Sequence, residues 1–179
     1  VLDQKKNNYL AAVFYNKRWG VSFLDISTGD FLVSEGNVEE IEQLLQSYIA
    51  SEVLIPKPKK QIFKEHFGTQ YPCFYMEDWS FEIDTAKQKL ISHFQTHSLE
   101  GFGIKNYDVG ICAAGAIMHY LSETQHDKLK HITRIAPIIK DKHVWLDRFT
   151  QRNLELFQPN HPEGVPLINV IDQSKTAMG

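Results

Sequence analysis

Only two cysteines occur in the 179 residues, Cys73 and Cys112. They have neither metal-ligand spacing nor the density of a disulfide scaffold, so two free thiols, buried or partly buried, are expected. Long apolar runs are missing too. No window approaches the roughly 18 apolar residues of a membrane span, and the N-terminus lacks the charged-then-apolar layout of a signal peptide, which leads to the expectation of a cytoplasmic protein. There is no surplus of positive charge: the formal net charge is -3. Strong binding of DNA by this chain alone is therefore not expected, because phosphate contacts need a concentrated basic surface. A G-x-x-x-x-G-K-[ST] phosphate loop is absent, so ATP is not expected to be held here.

What is present is a globular composition, 42% hydrophobic and 23% charged, long enough for one ordinary domain and an appendage. Residues 9–15 form an apolar run of strand length and residues 19–25 a second, rich in aromatic and β-branched residues, with a tight hairpin at 16–18. Turn chemistry at 25–30, with Gly29 free to take positive φ, leads into a third strand at 31–34. Three antiparallel strands thus open the domain. Asn37 followed by Glu40 is a capping-box start for a helix over about 38–50, with Ile41, Leu44, Leu45, Tyr48 and Ile49 on its inner face.

Residues 52–56, short, apolar and closed by Pro56, read as a buried strand reached by a crossover from that helix, hence parallel to a neighbour. A short helix about 62–67 and a fifth strand at 73–76 follow. Asp84 is the expected cap of a helix over 85–94 that turns Ala86, Leu90, Ile91 and Phe94 inward and Lys87, Gln88 and Lys89 outward. After a turn at 101–103, a long helix from 108 to 123 carries Gly110, Ala113, Ala114, Gly115 and Ala116, small residues that predict close packing against a neighbour. Residues 132–139 are apolar and extended, with Pro137 forbidding a continuous helix.

The last part of the chain runs from Val144 to Phe157, where Asp147 is an N-cap and Phe149, Leu154 and Phe157 fall near a helical period. A loop at 159–166 and the segment 170–179 follow. Leu146, Asp147, Thr150, Arg152, Asn153, Leu154, Glu155 and Leu156, then Val170, Ile171, Asp172 and Thr176 to Gly179, resemble the junction between the connector and core domains of MutS, the DNA mismatch-recognition ATPases. Phe81 to Ala86 fits the same pattern. The chain opens on Val1 and stops inside the motif, so a piece of a longer protein is expected.

The resemblance implies an α/β fold: a ribonuclease H-like connector domain over residues 1–125, built on a mixed five-stranded sheet with flanking helices. A linker over 126–143 and a partial α-helical core or lever segment over 144–179 would follow. Asp147, Thr150, Arg152, Asn153 and Glu155 would form the domain junction, with Phe149, Leu154 and Phe157 under-buried. The connector role it implies is mechanical, transmitting conformational change between mismatch binding and the ATPase domain. A surface for MutL is expected at Lys87, Gln88 and Lys89. ATP and Mg, mismatched DNA and self-association as a dimer would belong to other parts of the full-length protein.

No catalytic, metal or cofactor site is expected within the chain. A ribonuclease H-like nuclease, the alternative class, needs clustered carboxylates on its strands, whereas residues 9–15 and 53–55 contain none and Asp25 and Asp30 sit at a turn. A MutS-related protein of recombination is the other alternative. His93 and His97 stand four apart but lack the glutamate of a zinc-protease helix, and His119 reads as a boundary histidine. The lysines at 57, 59, 60 and 64, and the group Lys128, Lys130 and Arg134, lack interleaved aromatics and read as solvated faces.

Overall fold

The computed structural model describes residues 9–124 and 129–139. Residues 8–138 make one compact unit. Its elements are β1 (Tyr9–Asn16), β2 (Arg18–Asp25), β3 (Phe31–Gly36), α1 (Val38–Ser47), β4 (Ala50–Pro56), α2 (Lys60–Phe67), β5 (Cys73–Met76), α3 (Ile83–Phe94), α4 (Asp108–Thr124) and β6 (Ala136–Pro137). The strands form a mixed sheet in the order β5-β4-β1-β2-β3-β6. β1, β2 and β3 are antiparallel, while β4 lies parallel to β1 and β5 parallel to β4. That succession of three antiparallel strands and two parallel crossovers is the ribonuclease H-like arrangement. A sixth strand, β6, extends the expected five by pairing parallel with β3.

Strand alternation explains the layering. On one face Leu10, Ala12, Leu24, Phe31, Val33 and Leu54 join Ala86 and Leu90 of α3 and the apolar residues of α4 in a single core cluster. On the other, Phe23 stacks on Tyr48 just after α1, and Trp19 meets Phe67 of α2 edge-on. Helices therefore cover both faces, and the sheet is buried between them.

Local chemistry sets most boundaries. Lys17, at φ 62°, is the tip of the β1–β2 hairpin, and Gly29, at φ 79°, closes the next turn, where Asp25 Oδ1 accepts from Ser27 N at 2.8 Å. Asn37 and Glu40 form the reciprocal capping box of α1. Helix α1 stops at Ser47, short of the expected 50, and β4 begins at Ala50. Ile49 accordingly lies 73% exposed and not on the inner face. At α3 the N-cap is Glu82, without a side-chain cap bond, and Asp84 sits in the first turn. Asp84 is thus not the cap but an acidic side chain within the first turn, where it still complements the helix dipole.

Helix α4 is buried on nearly all sides, as its lack of a polar face requires. Its small residues do what their spacing predicted. A Cβ added at Gly115 would stand 2.3 Å from Ala86 Cβ of α3, and one at Gly110 2.4 Å from Val33 Cγ2 of β3. Gly20 of β2 is the reciprocal hollow: a Cβ there would meet the Val109 carbonyl carbon at 2.4 Å.

Candidate partner-binding surface

Lys87, Gln88 and Lys89, the expected partner surface, lie on α3. Gln88 is exposed, whereas Lys87 and Lys89 are half-buried. Lys87 is not a free cation: its Nζ lies 3.2 Å from Asp108 Oδ1 at the start of α4. Both side chains remain in contact with solvent, so the pair contributes only a few tenths of a kcal/mol to about 1 kcal/mol. It does fix the direction of the Lys87 side chain. Gln88 and Lys89, with Thr85, Ser92 and His93, form one wall of an open groove of about 410 Å³ whose other wall is Met118 and Ser122 of α4.

Beside the groove, His119 is buried against the ring of Trp79, with 4.7 Å between centroids. Its Nε2 lies 3.4 Å from Glu123 Oε1, and its Nδ1 has no hydrogen-bond partner among the described residues. Burial chiefly, and the nearby Lys89 ammonium, hold its pKa below the ordinary histidine value, against the pull of Glu123. The ring is thus a packing residue at a boundary. Trp79 itself is 49% exposed and Phe74 of β5 is 43% exposed, so two aromatic surfaces lie on the same side of the sheet as α4's contacts with them through His119 and Tyr120.

The remaining chemistry-bearing residues are dispersed. His93 and His97 do not share a helix face, because α3 ends at Phe94. His93 Nε2 instead lies 2.7 Å from the Ile132 carbonyl oxygen. Asp25 accepts the turn hydrogen bonds expected of it, from Ser27 N, Ser27 Oγ and Thr28 N, while its Oδ2 is buried with no partner among the described residues. Asp30 meets Tyr9 through the phenol hydroxyl at 3.3 Å. Among the described residues no group of three or more His, Cys, Asp or Glu could hold a metal ion. Cys73 and Cys112 are both free thiols. Two of the lysines have aromatic neighbours from elsewhere in the chain: Lys59 lies over Tyr15 at 5.8 Å and Lys60 over Tyr75 at 4.8 Å, while Lys57 pairs with Glu77. The rings come from β1 and β5, which is why the local sequence hid them. Lys130 and Arg134 are exposed. Asp147, Thr150, Arg152, Asn153 and Glu155, with Phe149, Leu154 and Phe157, lie outside the described residues.

Sequence reasoning missed Glu35. Its Oε1 accepts from Val109 N at 2.6 Å and Gly110 N at 3.1 Å, and its Oε2 lies 3.3 Å from Arg18 Nε. One buried carboxylate thus caps α4 from β3 and ties both to the β1–β2 hairpin. The available signal was alternation: Phe31, Val33 and Glu35 share a strand face, so an acid on an apolar face required a partner.

The model of the MutS domain II family matches residues 8–133. The chain belongs to the MutS domain II family. Along its full length this domain II chain is 53% identical to the DNA mismatch repair protein MutS of Flavobacterium psychrophilum and 54% to that of Cytophaga hutchinsonii. It is 42% identical to the DNA mismatch repair protein MutS of Bacteroides fragilis. It covers 21% of each of these proteins, so it spans about a fifth of the length of the curated relatives it matches. The domain II match covers every strand from β1 to β5 and both helical layers. No helix among the described residues is long and apolar enough to cross a membrane.

Proposed function

We propose that this domain II chain is the connector of a DNA mismatch-recognition ATPase. It transmits conformational change between mismatch binding and the ATPase domain and offers a MutL-binding surface on α3 at Lys87, Gln88 and Lys89. The observation that supports this reading best is the anchoring of α3. Its inner side, Ala86 and Leu90, is fully buried, a Cβ at Gly115 of α4 would collide with Ala86, and Glu35 ties α4 to β3. A partner gripping the outer side therefore holds the whole unit, and a displacement of the unit moves the partner's docking surface with it.

The chain carries out no chemistry of its own in this reading. ATP and Mg, mismatched DNA and self-association as a dimer belong to the rest of the full-length protein, which is cytoplasmic. Residues 1–125 form the connector, 126–143 the linker, whose inner part is docked on the unit, and 144–179 the start of the α-helical core or lever. Asp147, Thr150, Arg152, Asn153 and Glu155 form that junction.

Charge reversal at Lys87 and Lys89 in the full-length protein tests the proposal. MutL recruitment should weaken at least severalfold while mismatch binding is unchanged. Recruitment equal to that of the unaltered protein would refute the surface assignment.

A further inference from the structure

Residues 129–138 form a segment that begins with a turn, in which Ile132 N donates to Leu129 O at 3.1 Å, and ends at the sheet edge, with few hydrogen bonds to the rest of the unit. Leu129, Ile132, Ile135 and Ile138 are buried, while Lys130, His131, Thr133 and Arg134 are exposed. Its regular pairing is the two-residue strand β6, at the edge of the sheet. One of those two residues is Pro137, which has no N–H to give. Ile138 N donates to Val33 O at 2.8 Å. The other two fastenings to the body of the unit are made by imidazoles. His93 of α3 reaches the Ile132 carbonyl at 2.7 Å, and His131 of the segment reaches the Ile26 carbonyl, in the turn after β2, at 2.6 Å. A carbonyl only accepts, so both rings must carry their proton on Nε2.

We propose that residues 129–138 are a releasable strap, seated by the buried side chains of Leu129, Ile132, Ile135 and Ile138 and latched by these two imidazole-to-carbonyl hydrogen bonds, which opens as a unit while the rest of the sheet stays folded. The contrast with the sheet centre carries the argument. β1 and β2 are paired over eight residues and buried on both faces, whereas the strap buries only every third side chain and pairs with the sheet edge over two residues. Segments with few backbone ties and much exposed backbone open at lower free energy than core strands. Opening frees ten residues, which extend to about 33 Å at most, and adds that length to the reach of the chain that follows. In a connector this sets how far the domain can travel; that purpose rests on the proposed transmission role, whereas the opening itself does not.

Amide hydrogen exchange on the whole chain tests the strap without any partner, so its failure leaves the MutL-surface reading untouched. Ile132 and Ile138 amides should exchange together, faster than those of Ala11 to Val13 in β1. His93→Ala and His131→Ala should each speed strap exchange about fivefold, the equivalent of one net hydrogen bond, with β1 unchanged. His93→Gln, whose side-chain amide places an N–H near the position of Nε2, should restore much of the protection. Strap amides that exchange no faster than β1, or a His93→Ala effect spread equally over strap and sheet, would overturn the proposal. So would His93→Gln behaving as His93→Ala does.

Discussion

At Glu35 a single carboxylate receives two amide N–H groups from the first turn of α4 and faces Arg18 on the hairpin. Removing it leaves the helix amides without an acceptor in a buried place, so Glu35→Ala should lower stability by about 2–4 kcal/mol in denaturant melts. Glu35→Gln keeps one acceptor oxygen and should cost clearly less; equal losses would remove the capping role. The two thiols should differ in a similar residue-level way. Burial, with Asp108 adding to it against Lys87, pushes the Cys112 thiol up to about 12. Cys73 is half-buried and its thiol is raised as well, chiefly by burial. At pH 8 a thiol reagent should label Cys73 first and Cys112 only on unfolding. His119 gives a pH dependence of definite sign. Its folded pKa is lowered, so the unfolded chain takes up the proton more readily. The contribution is complete above the unfolded value of about 6.5 and is lost as pH falls below it toward the folded pKa. His119→Gln should flatten the fall in melting temperature between pH 7 and 5.

At the scale of elements, α3 and α4 pack so closely that a Cβ at Gly115 would stand 2.3 Å from Ala86 Cβ. Gly115→Ala should destabilise by about 1–3 kcal/mol through overpacking, and Ala86→Gly in the same protein should recover part of that loss. Additive losses in the double variant, measured by the same melts, would show that the two positions do not meet. These elements were readable in the sequence where their determinants are local. The capping box at Asn37 and Glu40, the turn at Gly29 and the small-residue run of α4 all sit within a few residues of what they specify. What escaped depends on distant partners. Glu35 finds its amides 74 residues further on, β6 exists only because β3 offers an edge, and Tyr15 and Tyr75 come beneath the lysines from other strands. Ile49 shows the converse: helical periodicity continued past Ser47, but the chain had to turn out to begin β4, which carried Ile49 into solvent.

At the scale of the whole molecule, the unit of residues 8–138 is a sheet clamped between helices, and the outer side of α3 is the proposed partner surface. The proposed partner triad rests on resemblance. Periodicity placed Lys87, Gln88 and Lys89 outward, but it did not anticipate that Lys87 is held by Asp108 or that Lys89 lies beside a buried histidine. In the proposed role, the expected change on partner binding is protection at the surface and not repacking of the core. The most direct measurement is the hydrogen-exchange footprint of MutL on the full-length protein. The account predicts slowed exchange along α3, residues 83–94, with α1 and α2 unchanged; a footprint on α1 and α2 that leaves α3 untouched would contradict it.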